Sequence, residues 1–244
     1  MRPPVFLAES AELQGDPIVL GGAEGRHATT VRRLSAGERV DVTDGAGAVA
    51  ECVVSTVRPG VVELAVLARR TEPAPEPRVV VVQAIPKGDR GELAVEVMTE
   101  VGVDAVVAWQ AERCVARWRG DRGGKALARW RATAREAAKQ SRRAWIPEVC
   151  GPESTPDVTR RVAGAALAIL LDPDAPDALS SIRLPARGDI VVIVGPEGGV
   201  SPAEAASAAA AGAVPARLGP SVLRSSSAGP VAAALLLAGS GRWA

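Results

Sequence analysis

The sequence predicts a mixed α/β protein in two parts, a small β unit followed by a larger open α/β unit. Three observations predict it. Short β-type segments broken by turn residues fill the first seventy or so positions, a proline-alternating stretch follows, and compact apolar runs then alternate with amphipathic segments. A chain of 244 residues suits two domains better than one or three.

In the first part, Ile18 to Leu20 runs into Gly21-Gly22, Arg39 to Thr43 into Asp44-Gly45, and Ala48 to Val57 into Pro59-Gly60, with Val61 to Leu67 next. Strands at that spacing suggest a small barrel or sandwich. Thr71-Glu72-Pro73-Ala74-Pro75-Glu76-Pro77 favours an extended, solvated linker. The expected domains are therefore residues 1–71 and 79–244, joined by a proline-rich linker at 72–78.

In the second part, Val79 to Gln83, Ala105 to Trp109, Ala166 to Leu171 and Ile190 to Val194 read as buried parallel strands. Between them, Glu92 to Val101 is expected to place Leu93, Val97 and Val101 on one helix face and Glu92, Glu96 and Glu100 on another. Lys125 to Arg143 reads as a long basic amphipathic helix. Ser201-Pro202-Ala203-Glu204 starts a helix with a capping box and proline at its first position, and Gly212 closes it. A strand near Val214 to Leu218, a loop from Gly219-Pro220 and an apolar helix from Ser227 to Ala238 complete the chain.

Composition excludes several function classes. With 47% hydrophobic and 23% charged residues the chain can bury a core and is not a disordered segment. Net charge is only +1, so a nucleic-acid partner must be argued from where the charges lie. Arginine carries most of the positive charge, with Lys87, Lys125 and Lys139 the lysines; its planar fork suits phosphate, and a compositional bias of the genome would give the same excess. Cys52, Cys114 and Cys150 have neither disulfide nor zinc spacing. No apolar run approaches a membrane span and MRPPVFLAES lacks a signal-peptide core, so a cytoplasmic protein is expected. His27 is the only histidine, so no metal site and no His-based triad in the second domain is expected.

Two strand-to-helix turns stand out. Ile190 to Val194 leads into Gly195-Pro196-Glu197-Gly198-Gly199 at a strand's carboxyl end, where open α/β sheets bind ligands. The turn matches neither phosphate-binding glycine motif, and Pro196 removes a donor, which disfavours a diphosphate. A tight structural turn would read the same. One βα unit later comes Leu218-Gly219-Pro220-Ser221-Val222-Leu223-Arg224, in which Arg224 stands at a helix start against the helix dipole, a position that serves a ligand better than the fold.

These turns, together with Glu136-Ala137-Ala138-Lys139-Gln140-Ser141-Arg142-Arg143, Ile146-Pro147, Thr99 to Val103, Glu112-Arg113, and His27 with Val31-Arg32-Arg33-Leu34, resemble the bacterial 16S ribosomal RNA uracil N3-methyltransferases of the SPOUT class over nearly the whole chain. The resemblance implies a C-terminal SPOUT-type α/β domain with a trefoil knot behind an N-terminal PUA-like RNA-docking β-barrel. It implies S-adenosyl-L-methionine (AdoMet) held by Leu171, Val194, Gly195, Pro196, Glu197, Gly198, Gly199, Leu218, Gly219, Ser221, Val222 and Leu223, with Arg224 catalytic. The partner implied is 16S rRNA in the 30S subunit, and the state a homodimer.

RNA contacts are expected at Arg26, His27, Arg32, Arg33, Arg113, Gln140 and Arg143. The basic face of the long helix reads equally as a solvated surface, and His27 alone equally as a structural histidine. One departure matters: the family's threonine-glutamate-threonine after the leucine-arginine pair is Ser225-Ser226-Ser227 here, so the glutamate's role does not carry over to Ser226. A non-catalytic RNA-binding assembly factor of the same fold is the alternative. Aromatics are only 2% of the chain, a poor supply for stacking RNA bases.

Overall fold

A computed structural model describes residues 3–243; Met1, Arg2 and Ala244, at the ends of the two expected domain ranges, lie outside the described residues. The chain forms two compact units, residues 1–74 with 138–146, and residues 75–137 with 147–244. The segment 138–146, which the sequence places in the second domain, clusters with the first unit.

The first unit holds β1 (Val5–Leu7), β2 (Ile18–Leu20), α1 (Gly22–Arg26), β3 (Arg39–Thr43), β4 (Ala48–Arg58) and β5 (Val61–Thr71). The sheet order is β1-β3-β4-β5-β2, with β1 parallel to β3 and the other pairs antiparallel. Alternation along the strands turns Val40 and Val42, Cys52 and Val54, and Val62 and Leu64 into one core with Phe6 and Ile18. The second half of β5 carries exposed residues, which is why its apolar signal stops at Leu67. The sequence gives no sign of β1, three residues long, or of α1. A five-residue π turn, His27–Val31, extends α1. Arg33 ends this helical stretch in the left-handed region (φ 53°), while the Leu34 N–H reaches back to the Ala28 carbonyl.

The second unit is a six-stranded parallel sheet, β6 (Arg78–Ala84), β7 (Ala105–Trp109), β8 (Glu148–Glu153), β9 (Leu167–Leu171), β10 (Asp189–Val194) and β11 (Ala213–Ala216), in the order β11-β9-β10-β6-β7-β8. Central β6, β7 and β10 are buried almost throughout, so they read as unbroken apolar runs. The edge strand β8 escapes that pattern because it contains Gly151-Pro152 and two glutamates, tolerable only at an edge.

Helices α2 (Arg90–Val101), α3 (Gly120–Gln140), α4 (Thr155–Ala163), α5 (Pro202–Ala210) and α6 (Ser225–Gly239) complete the unit, apart from the last residues of α3. Two expectations need correcting. The buried face of α2 is Gly91, Ala94, Val95, Met98 and Thr99; of the expected apolar face Val101 packs, partly buried, against the core, whereas Leu93 is 53% exposed. The basic helix α3 begins five residues before Lys125 and ends before Ser141-Arg142-Arg143, where Arg142 turns left-handed (φ 59°).

The connection from β9 to β10 projects a 3₁₀ turn, Leu179–Ser181, beside Arg217. The Leu179 N–H donates to the Arg217 carbonyl at 2.9 Å, and the Arg217 N–H to the Asp177 carbonyl at 3.0 Å. After β11 the chain runs to α6, which packs on α2, β6, β10 and the same turn.

Candidate active site

The carboxyl ends of adjacent strands β11, β9 and β10 open into a cavity of about 580 Å³, within the size range of small-molecule sites. Each strand end contributes a wall. From β9 come Leu171, Asp172, Pro173 and Asp174; from β10 come Val194 through Glu197, Gly199 and Val200; beyond β11 come Leu218, Gly219, Ser221, Val222, Leu223 and Arg224. The cavity collects all the cofactor residues expected from sequence except Gly198, which lies outside it against Arg113.

Backbone geometry explains the glycine turn. The Gly199 N–H donates to the Pro196 carbonyl at 2.9 Å with Gly199 at φ 75°, and a Cβ on Gly195 would stand 2.7 Å from the Val200 side chain. The Arg113 guanidinium donates to the Gly198 carbonyl at 3.2 Å, and the Lys87 N–H donates to Glu197 Oε1 at 3.4 Å. Glu204, buried in the capping box of α5, accepts from the Glu112 N–H (2.8 Å), Thr155 Oγ1 (2.9 Å) and the Ser201 N–H (3.1 Å). It pins the turn to the start of α4.

At the far wall, Arg224 is the N-cap of α6, is exposed, and has no ion pair among the described residues. Behind it Ser225 is buried, and its Oγ has no hydrogen-bond partner among the described residues. Asp172 Oδ1 accepts from the Asp174 N–H at 2.9 Å, fixing that turn. Asp172, Asp174 and Glu197 therefore share the cavity with a single cation, Arg224.

In the first unit, the end of α3 and the π turn after α1 form a small basic hollow of about 70 Å³. His27, Arg32, Gln140 and Arg142 line it with Lys139 and Phe6. Lys139 is buried; its Nζ donates to Glu24 Oε1 at 2.9 Å and lies 3.3 Å from His27 Nδ1. The edge of the His27 ring meets Phe6, centroids 5.9 Å apart. Arg26, Arg33 and Arg143 do not line this hollow, and Arg113 belongs to the other unit.

Burial pushes the Cys52 thiol up to about 11 and raises those of Cys114 and Cys150, so none is poised as a thiolate nucleophile. No cluster of three metal-type side chains occurs among the described residues.

Comparison with known proteins places this geometry. The RNA methyltransferase domain family matches residues 73–237, and the RNA methyltransferase PUA domain family residues 20–65. A Mycobacterium bovis protein named Ribosomal RNA small subunit methyltransferase E is 46% identical over 98% of this chain and 93% of its own length. The chain belongs to the ribosomal RNA small subunit methyltransferase E family. The Bacillus subtilis protein of that name is 28% identical over 85% of this chain and 84% of its own. The Neisseria gonorrhoeae protein of that name, solved bound to S-adenosyl methionine, superposes with a TM-score of 0.85 at 26% identity, covering 97% of this chain and 98% of that one. A Legionella pneumophila methyltransferase solved with bound SAM gives a TM-score of 0.86 at 26% identity over 98% of each chain. The fold is the SPOUT-class methyltransferase fold with an N-terminal PUA-like domain.

Within this methyltransferase E family member, sequence reasoning missed Asp172, Asp174 and Ser225 in the cavity, and Glu24 as the ion-pair partner of Lys139. An Asp-Pro-Asp triplet closing a buried strand was the available signal for the first two. Ser225 is visible in the sequence only as part of the Ser225-Ser226-Ser227 stretch; its burial with no hydrogen-bond partner among the described residues comes from the fold.

Proposed function

We propose that this chain is an AdoMet-dependent methyltransferase acting on N3 of a uridine in 16S rRNA, within the 30S subunit. The observation that carries the reading is the cavity at the ends of β9, β10 and β11, which joins both glycine-containing turns to Arg224. Its residues fit AdoMet. Leu171, Val194, Leu218 and Leu223 offer apolar walls, the turns expose backbone groups for an adenine edge, and Ser225 Oγ supplies an uncommitted hydrogen-bonding group. Asp172 and Asp174 offset the charge of a cationic ligand. When bound, AdoMet supplies an electrophilic sulfonium methyl.

Arg224 is the catalytic side chain. Arg224 lines the cavity and donates to a uracil carbonyl oxygen, where negative charge develops as N3 gives up its proton to solvent. The turns hold the reacting partners in line, so positioning contributes most of the rest. The basic hollow of Lys139, Arg32, Arg142, His27 and Gln140 receives backbone phosphate, and Arg26, Arg33, Arg113 and Arg143 add surface contacts. Retention of both turns and Arg224 favours the enzyme over the assembly factor. Ser225 and Ser227 keep hydroxyls at the family's threonine positions, while Ser226 stands without the carboxylate at its glutamate position.

The working state is a homodimer, supported by Val231 and Leu235 on the uncharged helix α6, which stay 39% and 37% exposed. A cytoplasmic location accords with three free thiols and with no helix among the described residues being long and apolar enough to cross a membrane.

The test is nucleoside mass spectrometry of small-subunit RNA after incubating protein, AdoMet and undermethylated 30S particles. New 3-methyluridine is expected, and Arg224→Ala should cut its formation by about 100-fold or more while AdoMet binding persists. No methylation despite AdoMet and RNA binding would establish the assembly factor.

A further inference from the structure

A second cavity, of about 440 Å³, lies at the start of α2. Its walls include Trp118, Trp130, Gly91, Glu92 and Arg129. The cofactor reading leaves it unused, and its construction is specific.

Trp130 is buried, and Trp118, half-buried, meets it edge-on with centroids 4.9 Å apart. Gly91 brings the first turn of α2 flush against the Trp130 ring, since a Cβ there would stand 2.5 Å from it. Gln110 braces the loop that carries Trp118: its Oε1 accepts from the Trp118 N–H at 2.8 Å, and its Nε2 donates to the Ala116 carbonyl at 3.0 Å. Also lining the cavity, Arg129 donates from Nε to Glu92 Oε1 at 3.1 Å, so a guanidinium and a carboxylate stand side by side on the wall.

An aromatic wall calls for a planar ligand, and the Arg129–Glu92 pair calls for one whose edge carries a carbonyl beside ring and amino N–H groups. Guanine has that edge: arginine donates to O6, and a carboxylate accepts from N1–H and the 2-amino group. Exposed cations flank the lining residues in sequence, Lys87 before Gly88-Asp89 and Arg119 after Trp118, which suits a ligand attached to phosphates; Arg90 pairs with Glu197 and Arg117 donates to the Ala111 and Glu112 carbonyls. The loop between β6 and α2 also touches the cofactor cavity, because Lys87 N–H and Arg90 both contact Glu197. A ligand here would thus lie beside the methyl-transfer cavity.

We infer that this cavity receives an unstacked guanine of the RNA substrate, stacked on Trp118 and read by Glu92 and Arg129, next to the uridine being methylated. The inference rests on the RNA methyltransferase reading above and gives it a specificity subsite. It also answers the scarcity of aromatics: one braced tryptophan suffices where one base is held.

The experiment uses the full-length protein with saturating AdoMet and end-labelled single-stranded eight-nucleotide RNAs, one carrying guanosines and one inosines at the same positions. Fluorescence anisotropy should show the guanosine RNA binding about fivefold tighter or more, the weight of one good edge contact. Glu92→Gln should erase that preference. Trp118→Ala, or Trp118→Leu should the alanine variant fail to fold, should weaken both RNAs by about fivefold or more. Calorimetric AdoMet affinity, measured on the same samples, should not change in either variant. A wild-type chain that binds AdoMet yet treats both RNAs alike overturns the subsite alone, as do folded variants that bind RNA like the wild type. Absence of AdoMet binding by the wild type overturns the subsite together with the methyltransferase reading.

Discussion

At the scale of single residues, chemistry is placed where the backbone or the electrostatics is least comfortable. Arg142 occupies a left-handed position at the end of α3 that glycine would fill without strain, and its side chain lines the basic hollow. A cation retained at such a site trades stability for contact. Arg142→Gly should therefore raise the unfolding free energy by about 1 kcal/mol and weaken RNA binding; calorimetric melting and a filter-binding assay read the two effects, and a variant losing both stability and affinity would refute the trade. The cofactor cavity shows a similar tension, with Asp172, Asp174 and Glu197 lining it beside Arg224, and Arg90 reaching Glu197 from outside the lining. AdoMet carries a sulfonium charge that its demethylated product lacks, so these carboxylates favour the reactant. Asp172→Asn should weaken AdoMet about fivefold, roughly 1 kcal/mol for a partly exposed charge pair, and leave S-adenosylhomocysteine affinity nearly unchanged. Equal losses for both ligands in titration calorimetry would assign Asp172 a purely structural role.

At the scale of elements, what holds the glycine turn is the start of α5. Ser201 and Glu204 form its capping box, and the Glu204 carboxylate also accepts from Glu112 and Thr155. Removing it leaves buried donors unpaired, a loss of about 2–4 kcal/mol. Glu204→Ala should lower the melting temperature by roughly 5–10 °C and loosen AdoMet binding, whereas Ser201→Ala should cost only about 1 kcal/mol; thermal melts with and without AdoMet compare them. The capping box was legible in the sequence, but its second function, tying α5 to the turn after β7 and to α4, was not. Legibility followed burial. Strands covered on both faces announced themselves as apolar runs, whereas β1 and the glycine- and proline-bearing edge β8 did not. The face of α2 is only partly legible, because Ala94, Val95 and Met98 pack inward with Val101 while Leu93 points out. The glycine turns and Arg224 were legible from local chemistry. The basic hollow was not, because Lys139 and His27 meet across 112 residues of sequence and only the fold joins them.

At the scale of the whole molecule, the nearly neutral net charge hides two local arrangements, a cation-lined hollow and an acid-lined cavity, so partner choice follows distribution rather than total. The last helix sets the remaining whole-molecule property. From Ser225 to Gly239, α6 carries no charged residue, and a helix without a polar face belongs in an interior. Within one chain it covers α2, β6 and β10, yet Val231 and Leu235, one turn apart, remain exposed. A second copy meeting this face through a two-fold axis would cover each such patch with its own equivalent. Because Arg224 and Ser225 stand at the first turn of the same helix, assembly and ligand binding should be coupled. Sedimentation equilibrium should show a dimer at micromolar concentration, and Leu235→Asp should give a folded monomer that binds AdoMet at least several-fold more weakly. A wild-type chain sedimenting as a monomer would remove the second copy from the functional state, and a monomeric variant with full AdoMet affinity would uncouple the interface from the site.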